Sequence, residues 1–269
     1  MARVATLSSI KSGAKSASAE RQTGSQQDAR LQQGRVDLAA AFRLAVLNNW
    51  HESVANHFSL AVSDDGKTFL MNPKWVHFSN IAAKDLLLLR ADDKEAMLRP
   101  NAPDPSAWCI HGALHAALPH ARCILHVHPP YATAICALAD PDIKPIDQNT
   151  ARFFNRLAID LHYGGIADND AEGARIVKAL GNKSVMMMGN HGVLVAAPSV
   201  AEAYDTLYYL ERACQTLVLA YSTGQPLHVL PDAMAEQTAQ DWEDYRDGMF
   251  AHFDEMKRVL DKQDGSYAS

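Results

Sequence analysis

The chain has 269 residues, 48% hydrophobic and 21% charged, with a formal net charge of −6 and a pI near 6.0. That length and apolar fraction suffice for one sizeable core. The acidic balance, with Arg and Lys scattered, excludes the clustered basic face by which a protein meets nucleic acid or an anionic membrane. No uncharged apolar run of about 18 residues predicts a transmembrane helix, and the start of the chain lacks the apolar stretch of a secretory signal. Cys109, Cys123, Cys136 and Cys214 sit in apolar contexts without CxxC spacing, so free buried thiols and a cytoplasmic location are expected.

Residues 1–30, rich in Ser, Gln, Ala, Lys and Arg, carry too little apolar surface to offset their ordering entropy and read as a mobile arm. A single domain over residues 31–262 and a tail at 263–269 complete the expected organisation. Leu38, Phe42 and Ala45 recur at helical spacing within Val36 to Asn48, and Trp50 closes that helix's apolar face. His57 to Val62 and Thr68 to Met71 read as strands joined at the turn Ser63-Asp64-Asp65-Gly66. Asp85 to Arg90 is either helix or strand. Ile110, Leu114 and Leu118 define a helix from Ser106 that Pro119 stops. The strand Cys123 to Val127 follows, then a helix from Tyr131 to Ala139.

Ala151 to Asp160 carries no clear period. A helix capped by Asp168 or Asp170 contains Ile176, Val177 and Leu180 and ends at Gly181. The apolar runs Val185 to Met188 and Val193 to Val195 flank Gly189-Asn190-His191-Gly192 and predict a hairpin with His191 at its tip. Ser199 and Glu202 form a capping-box pattern at the head of a helix that runs to Ser222. Residues 231–262 read as one polar helix with Met249, Phe250, Phe253 and Met256 on its apolar side. Strands interleaved with helices and joined by hairpins predict an α/β fold of the layered α+β kind.

Alternation along the Cys123 strand puts Ile124, His126 and His128 on one face and Cys123, Leu125 and Val127 behind. A single His-x-His is as often a strand terminus as a metal site. With His191, three imidazoles and an open position describe a catalytic metal centre rather than a closed structural one. His111 and His115, four apart on a helix, are either a further ligand pair or amphipathic filler. Met186 to Met188 reads as strand core, because successive side chains face opposite ways. Tyr204, Tyr208 and Tyr209 either pack the long helix or reach a neighbouring subunit. Arg152 and Arg156 are either a carboxylate clamp or solvated.

The segments Leu125-His126-Val127-His128-Pro129-Pro130-Tyr131-Ala132-Thr133-Ala134, Gly189-Asn190-His191-Gly192-Val193-Leu194-Val195, and Val200-Ala201-Glu202-Ala203-Tyr204 with Leu210-Glu211-Arg212-Ala213-Cys214 together resemble the class II aldolase/adducin family over residues 36–222. The resemblance implies a central, mostly antiparallel sheet flanked by helices, a homotetramer with sites at subunit interfaces, and a divalent metal on His126, His128 and His191. Mn2+ is taken first and Zn2+ second. Three departures narrow the chemistry. Ala107 occupies the position of the glutamate that transfers the proton in family aldolases, while His111 matches the family histidine four residues beyond it. The glycine-rich phosphate loop is replaced by Ala55-Asn56-His57. The segment Asn72-Pro73-Lys74-Trp75 also departs from the family's Thr-Pro-Ser/Thr-Gly-like form.

A phosphate nest needs glycine freedom and exposed amides, so the resemblance points instead to the family's decarboxylase-like branch. That branch acts on hydroxylated aromatic or pyridine dicarboxylates in aromatic catabolism, and Trp75, His77 and Phe78 suit a planar ligand. His57 and His111 are the candidate catalytic groups, and Asn56, Lys74, Arg152 and His162 the candidate substrate-binding groups. A retro-aldol lyase on a non-phosphorylated substrate and a non-catalytic adducin-like module are the alternatives.

Overall fold

The computed structural model describes residues 9–162 and 170–269. Among them, seven strands form one sheet: β1 (His57–Ala61), β2 (Thr68–Met71), β3 (Leu87–Arg90), β4 (Cys123–Val127), β5 (Leu157–Asp160), β6 (Val185–Met188) and β7 (Gly192–Ala197), in the order β3-β2-β1-β4-β7-β6-β5. Every neighbouring pair is antiparallel except β5 with β6. The helices are α1 (Ser9–Leu47), α2 (Pro105–Ala117), α3 (Pro130–Cys136), α4 (Gln148–Ala151), α5 (Asp170–Leu180), α6 (Val200–Ser222), α7 (Asp232–Asp244) and α8 (Arg246–Asp264). The result is the mixed α/β fold that the pattern predicts, with helices on both faces of the sheet. No described helix is long and apolar enough to cross a membrane.

Strand alternation along β4 feeds two of the three buried apolar clusters among the described residues. Cys123, Leu125 and Val127 of β4 point into the larger one, against Leu38 and Phe42 of α1 and Tyr204 and Leu207 of α6. There Phe42 stacks on Phe58 and meets Phe78 edge-on, both at 4.6 Å between ring centres. Ile124 points the other way, into a smaller cluster with Ile110 and Leu114 of α2 and Ile176 and Leu180 of α5. β4 is buried along its whole length, which is why its sequence is an unbroken apolar run apart from His126.

Two expectations change and two open segments resolve. The first helix begins at Ser9 rather than Val36, because Ala, Gln, Lys and Arg continue a helix without an apolar face; its packing against the core starts at Leu31. Asp85 to Arg90 divides into a 3-10 turn, Ala83–Asp85, and the strand β3. The segment Ala151 to Asp160 divides likewise, into the end of α4 and β5. The single helix over 231–262 breaks at Tyr245, whose φ and ψ of −91° and 44° leave the helical region. Its ring folds over Gly248, where a Cβ would lie 2.3 Å from Tyr245 Cε1. α8 then returns to α6 with Phe253 buried and Phe250 left 41% exposed. Residue 168, one of the two proposed caps of α5, lies outside the described residues.

The β1–β2 turn presses on the end of α2. Gly66 has φ of 71°, and a Cβ there would lie 2.0 Å from the carbonyl oxygen of His115. Gly66→Ala is therefore expected to lower unfolding stability by about 2 to 4 kcal/mol, from left-handed strain plus backbone displacement, as read by urea denaturation. His115 itself is buried, and burial holds its pKa down to about 4. The unfolded chain accepts a proton that the folded chain refuses, so stability is complete above about pH 6.5 and falls toward pH 4. Denaturation across that range should show the decline, to which the other buried histidines with depressed pKa also contribute, and His115→Gln should make it shallower by one group's share.

Candidate metal centre

β4 delivers His126 at the middle of the sheet and ends one residue before His128, which Pro129 and Pro130 terminate. The β6–β7 turn brings His191 to the same place, with Asn190 in the left-handed region at φ of 54°. One ring nitrogen from each of the three lies within 4.8 Å of the others. Gly192 permits this approach: a Cβ there would sit 2.3 Å from His128 Cδ2 and 2.7 Å from the Val127 carbonyl oxygen.

Hydrogen bonds fix which nitrogens face inward. Nδ1 of His126 lies 3.0 Å from the Val193 carbonyl oxygen, and Nδ1 of His128 lies 2.6 Å from Oε2 of Glu52. A carbonyl and a carboxylate can only accept, so both Nδ1 atoms carry the proton. The two Nε2 atoms, 3.3 Å apart, are then turned toward each other and toward His191. A cation placed between them would meet a ring nitrogen from each. Burial keeps His126 well below the ordinary imidazole pKa, and lowers His191 to about 4. Neutral imidazoles with an oriented second nitrogen are what a divalent ion requires, so the donor set fits one. Glu52, on the turn after Trp50, was not singled out from the sequence.

The centre opens into a cavity of about 350 Å³. Asn56, His57, Lys74, Trp75, Asp104, Ala107, His162 and Arg175 line it together with the three histidines. His57 pairs directly with His126 across the β1–β4 ladder, its ring centre 4.8 Å away. Burial lowers its pKa to about 4, against an opposing pull from Asp104. His111 does not line the cavity. It is fully buried behind His57, with its Nε2 2.7 Å from His57 Nδ1. Asn56 lines the cavity, but its Oδ1 accepts from the Glu52 amide, which makes it a loop support.

Arg152 is not brought to the cavity. Its Nη2 donates to Asp205 at 2.7 Å, and its guanidinium lies 5.0 Å from the rings of both Tyr209 and Trp242. It borders a separate cleft with Arg156, whose guanidinium binds Glu236 and Glu243. Of the three groups expected to meet a planar ligand, Trp75 alone lines the cavity, 74% exposed on its wall with Lys74 Nζ 4.7 Å from its ring. Phe78 is core, and His77 Nδ1 accepts from Ser79 N to cap a 3-10 turn. Trp75 has φ of 62°, and Ser53, Asn56 and Asn190, also left-handed, stand on or beside lining residues. Such strain concentrates where a site must be held open.

Ala107, the position at which the resemblance to family aldolases implies a proton-transferring carboxylate, borders the cavity. Asp104, also on the wall, has its Oδ1 engaged by Ser106 N, Ser106 Oγ and Ala107 N at the head of α2. Glu172, on the wall too, binds Arg175 through both oxygens. Near β1, the amides of Glu52, Ser53 and Ala55 are bonded to Asn56 Oδ1, His51 Nδ1 and the Glu52 carbonyl, so they present no nest to an anion.

The family model for the class II aldolase and adducin N-terminal domain matches residues 36–218. An aldolase class 2 protein of Caulobacter vibrioides is 34% identical over 78% of this chain and 79% of its own length. Human beta-adducin is 28% identical over 71% of this chain and 26% of its own. The crystal structure of an aldolase II superfamily protein from Pseudomonas syringae superposes with a TM-score of 0.79 at 32% identity, covering 88% of this chain and 96% of that one. L-fuculose 1-phosphate aldolase from Glaciozyma antarctica shares the fold at a TM-score of 0.76 and 22% identity, over 90% and 94% of the two chains. The chain belongs to the class II aldolase/adducin family.

Proposed function

We propose that this chain is a divalent-metal-dependent carboxy-lyase acting on a hydroxylated aromatic or pyridine dicarboxylate. The observation that carries the reading is the cavity wall, where an alanine, Ala107, stands in place of a proton-transferring carboxylate, Glu172 is held by Arg175, and Asp104 caps α2 through Oδ1. Aldol cleavage through that position has no acid or base. Loss of CO2 needs only a place for negative charge and one proton for carbon.

His126, His128 and His191 would hold the ion, Mn2+ first and Zn2+ second. When bound, it supplies Lewis acidity to substrate oxygens on which negative charge grows. His57 borders the cavity beside His126 and accepts the proton of a ring hydroxyl adjacent to the departing carboxylate. It returns that proton to the ring carbon bearing the carboxylate. The bond from that carbon to CO2 then breaks, and its electron pair restores the ring. Solvent replaces the hydroxyl proton, so one proton is consumed for each CO2 released. Lys74 and His162 bind the spare carboxylate, and the exposed face of Trp75 stacks on the planar ring. Exposed Ile159 and Leu161, on and just beyond the edge strand β5, support assembly into a homotetramer.

Metal analysis and calorimetry should find one ion per chain, its loss in His126→Ala, and an affinity about 10 to 100-fold weaker in Glu52→Gln, which removes the orienting carboxylate. Metal-loaded protein should release CO2 from hydroxy-aromatic dicarboxylates and lose that activity on chelation. Aldehyde or pyruvate formation without CO2 would establish a retro-aldol lyase instead. Inertness on such acids combined with an empty metal site would establish the adducin-like reading.

A further inference from the structure

Behind His57 runs a buried line of polar groups that the metal centre does not use. Nδ1 of His57 lies 2.7 Å from Nε2 of His111; Nδ1 of His111 lies 2.5 Å from Ser59 Oγ; Ser59 Oγ lies 2.7 Å from Nε2 of His115; and Nδ1 of His115 lies 2.6 Å from the Ala121 carbonyl oxygen. Ser59 and His111 are fully buried and His115 is 3% exposed. Among the described residues no carboxylate is bonded to any of the three imidazoles, and a buried charge without a partner is costly, so each ring carries one proton.

The end of the line then fixes every proton in it. A backbone carbonyl only accepts, so His115 holds its proton on Nδ1 and its Nε2 must accept. Ser59 supplies that proton through its hydroxyl, which leaves Ser59 Oγ as acceptor for Nδ1–H of His111. His111 Nε2 is then a lone pair that accepts Nδ1–H of His57. The last nitrogen, His57 Nε2, is left with a lone pair and no bonded partner among the described residues. The only fully buried side-chain polar atoms lacking a partner there are Thr133 Oγ1 and Arg152 Nη1, so His57 Nε2 is accessible, on the residue that lines the cavity.

We propose that Ser59 and His115 are positioning residues that, anchored on the Ala121 carbonyl, hold His111 and His57 as Nδ1–H tautomers and leave His57 Nε2 as a bare acceptor for a ligand hydroxyl. The hydroxyl assignment rests on the proposed function; the tautomers do not. A cavity wall so arranged discriminates for an O–H donor and against a carbonyl or carboxylate oxygen at that point, where two acceptors would meet.

The test is long-range 1H–15N spectroscopy of the 15N-labelled full chain at pH 7.5, metal-free and loaded with diamagnetic Zn2+. The imidazole nitrogen shifts of each histidine report its tautomer. His57, His111 and His115 should each appear as a single Nδ1–H form in both states. Ser59→Ala should convert His111 and His57 to tautomer mixtures, while Ser59→Thr, which keeps the hydroxyl, should restore the single forms. A native His57 carrying its proton on Nε2 would overturn the proposal, and that measurement needs no variant to fold. A folded Ser59→Ala protein with unchanged His57 and His111 shifts would overturn it equally. Neither readout involves substrate turnover, so failure of the carboxy-lyase assignment and failure of the tautomer chain are distinguishable.

Discussion

Two antiparallel ladders meet on β4, and their register determines the whole site. On one side His57 pairs with His126; on the other, Val193 pairs with Val127 and offers its carbonyl to the His126 ring. A slip of one residue in either ladder would turn His126 into the opposite core. The slip is opposed by the apolar side chains of β4 itself, since Cys123, Leu125 and Val127 would exchange places with Ile124 and His126. The candidate metal ligand His126 is thus held by the same burial that folds the sheet, and His128 and His191 follow directly from the ends of its strands.

This placement has an electrostatic consequence. Six histidines, His57, His111, His115, His126, His128 and His191, lie in contiguous contact, and the Glu52 carboxylate is bonded to His128. A cluster of this kind is stable only if most rings stay neutral, and burial is the first cause of the depressed pKa at His57, His111, His115, His126 and His191. Neutral rings are good ligands and good hydrogen-bond acceptors. The cluster therefore works as a bank of oriented lone pairs rather than as a patch of positive charge, in keeping with a net-acidic chain.

Much of this was legible in the residues. The period of two along Cys123 to Val127 placed His126 correctly, and the Gly-flanked turn placed His191, because both depend on local geometry that side-chain type reveals. Glu52 was not legible: it lies 76 positions from His128, on a turn whose direction only packing sets. The spacing of His111 and His115 was visible, but deciding between ligand pair and filler required knowing that Ser59 of β1 faces α2. Arg152 was assigned to the wrong place because its partners, Asp205 on α6 and Trp242 on α7, are distant in sequence. Tyr245 broke a helix that the periodicity continued, since its ring found Gly248.

The Ala121 carbonyl differs in kind from the other groups behind the site. It belongs to the main chain of the turn between α2 and β4, so no exchange of side chain at position 121 removes it. The direction of the proton order behind His57 is set by the path of the backbone and not by the identity of a residue. A descendant of this chain that altered Ser59 or His115 would lose the link yet keep the anchor. Any hydroxyl or imidazole regained between them would be oriented the same way again.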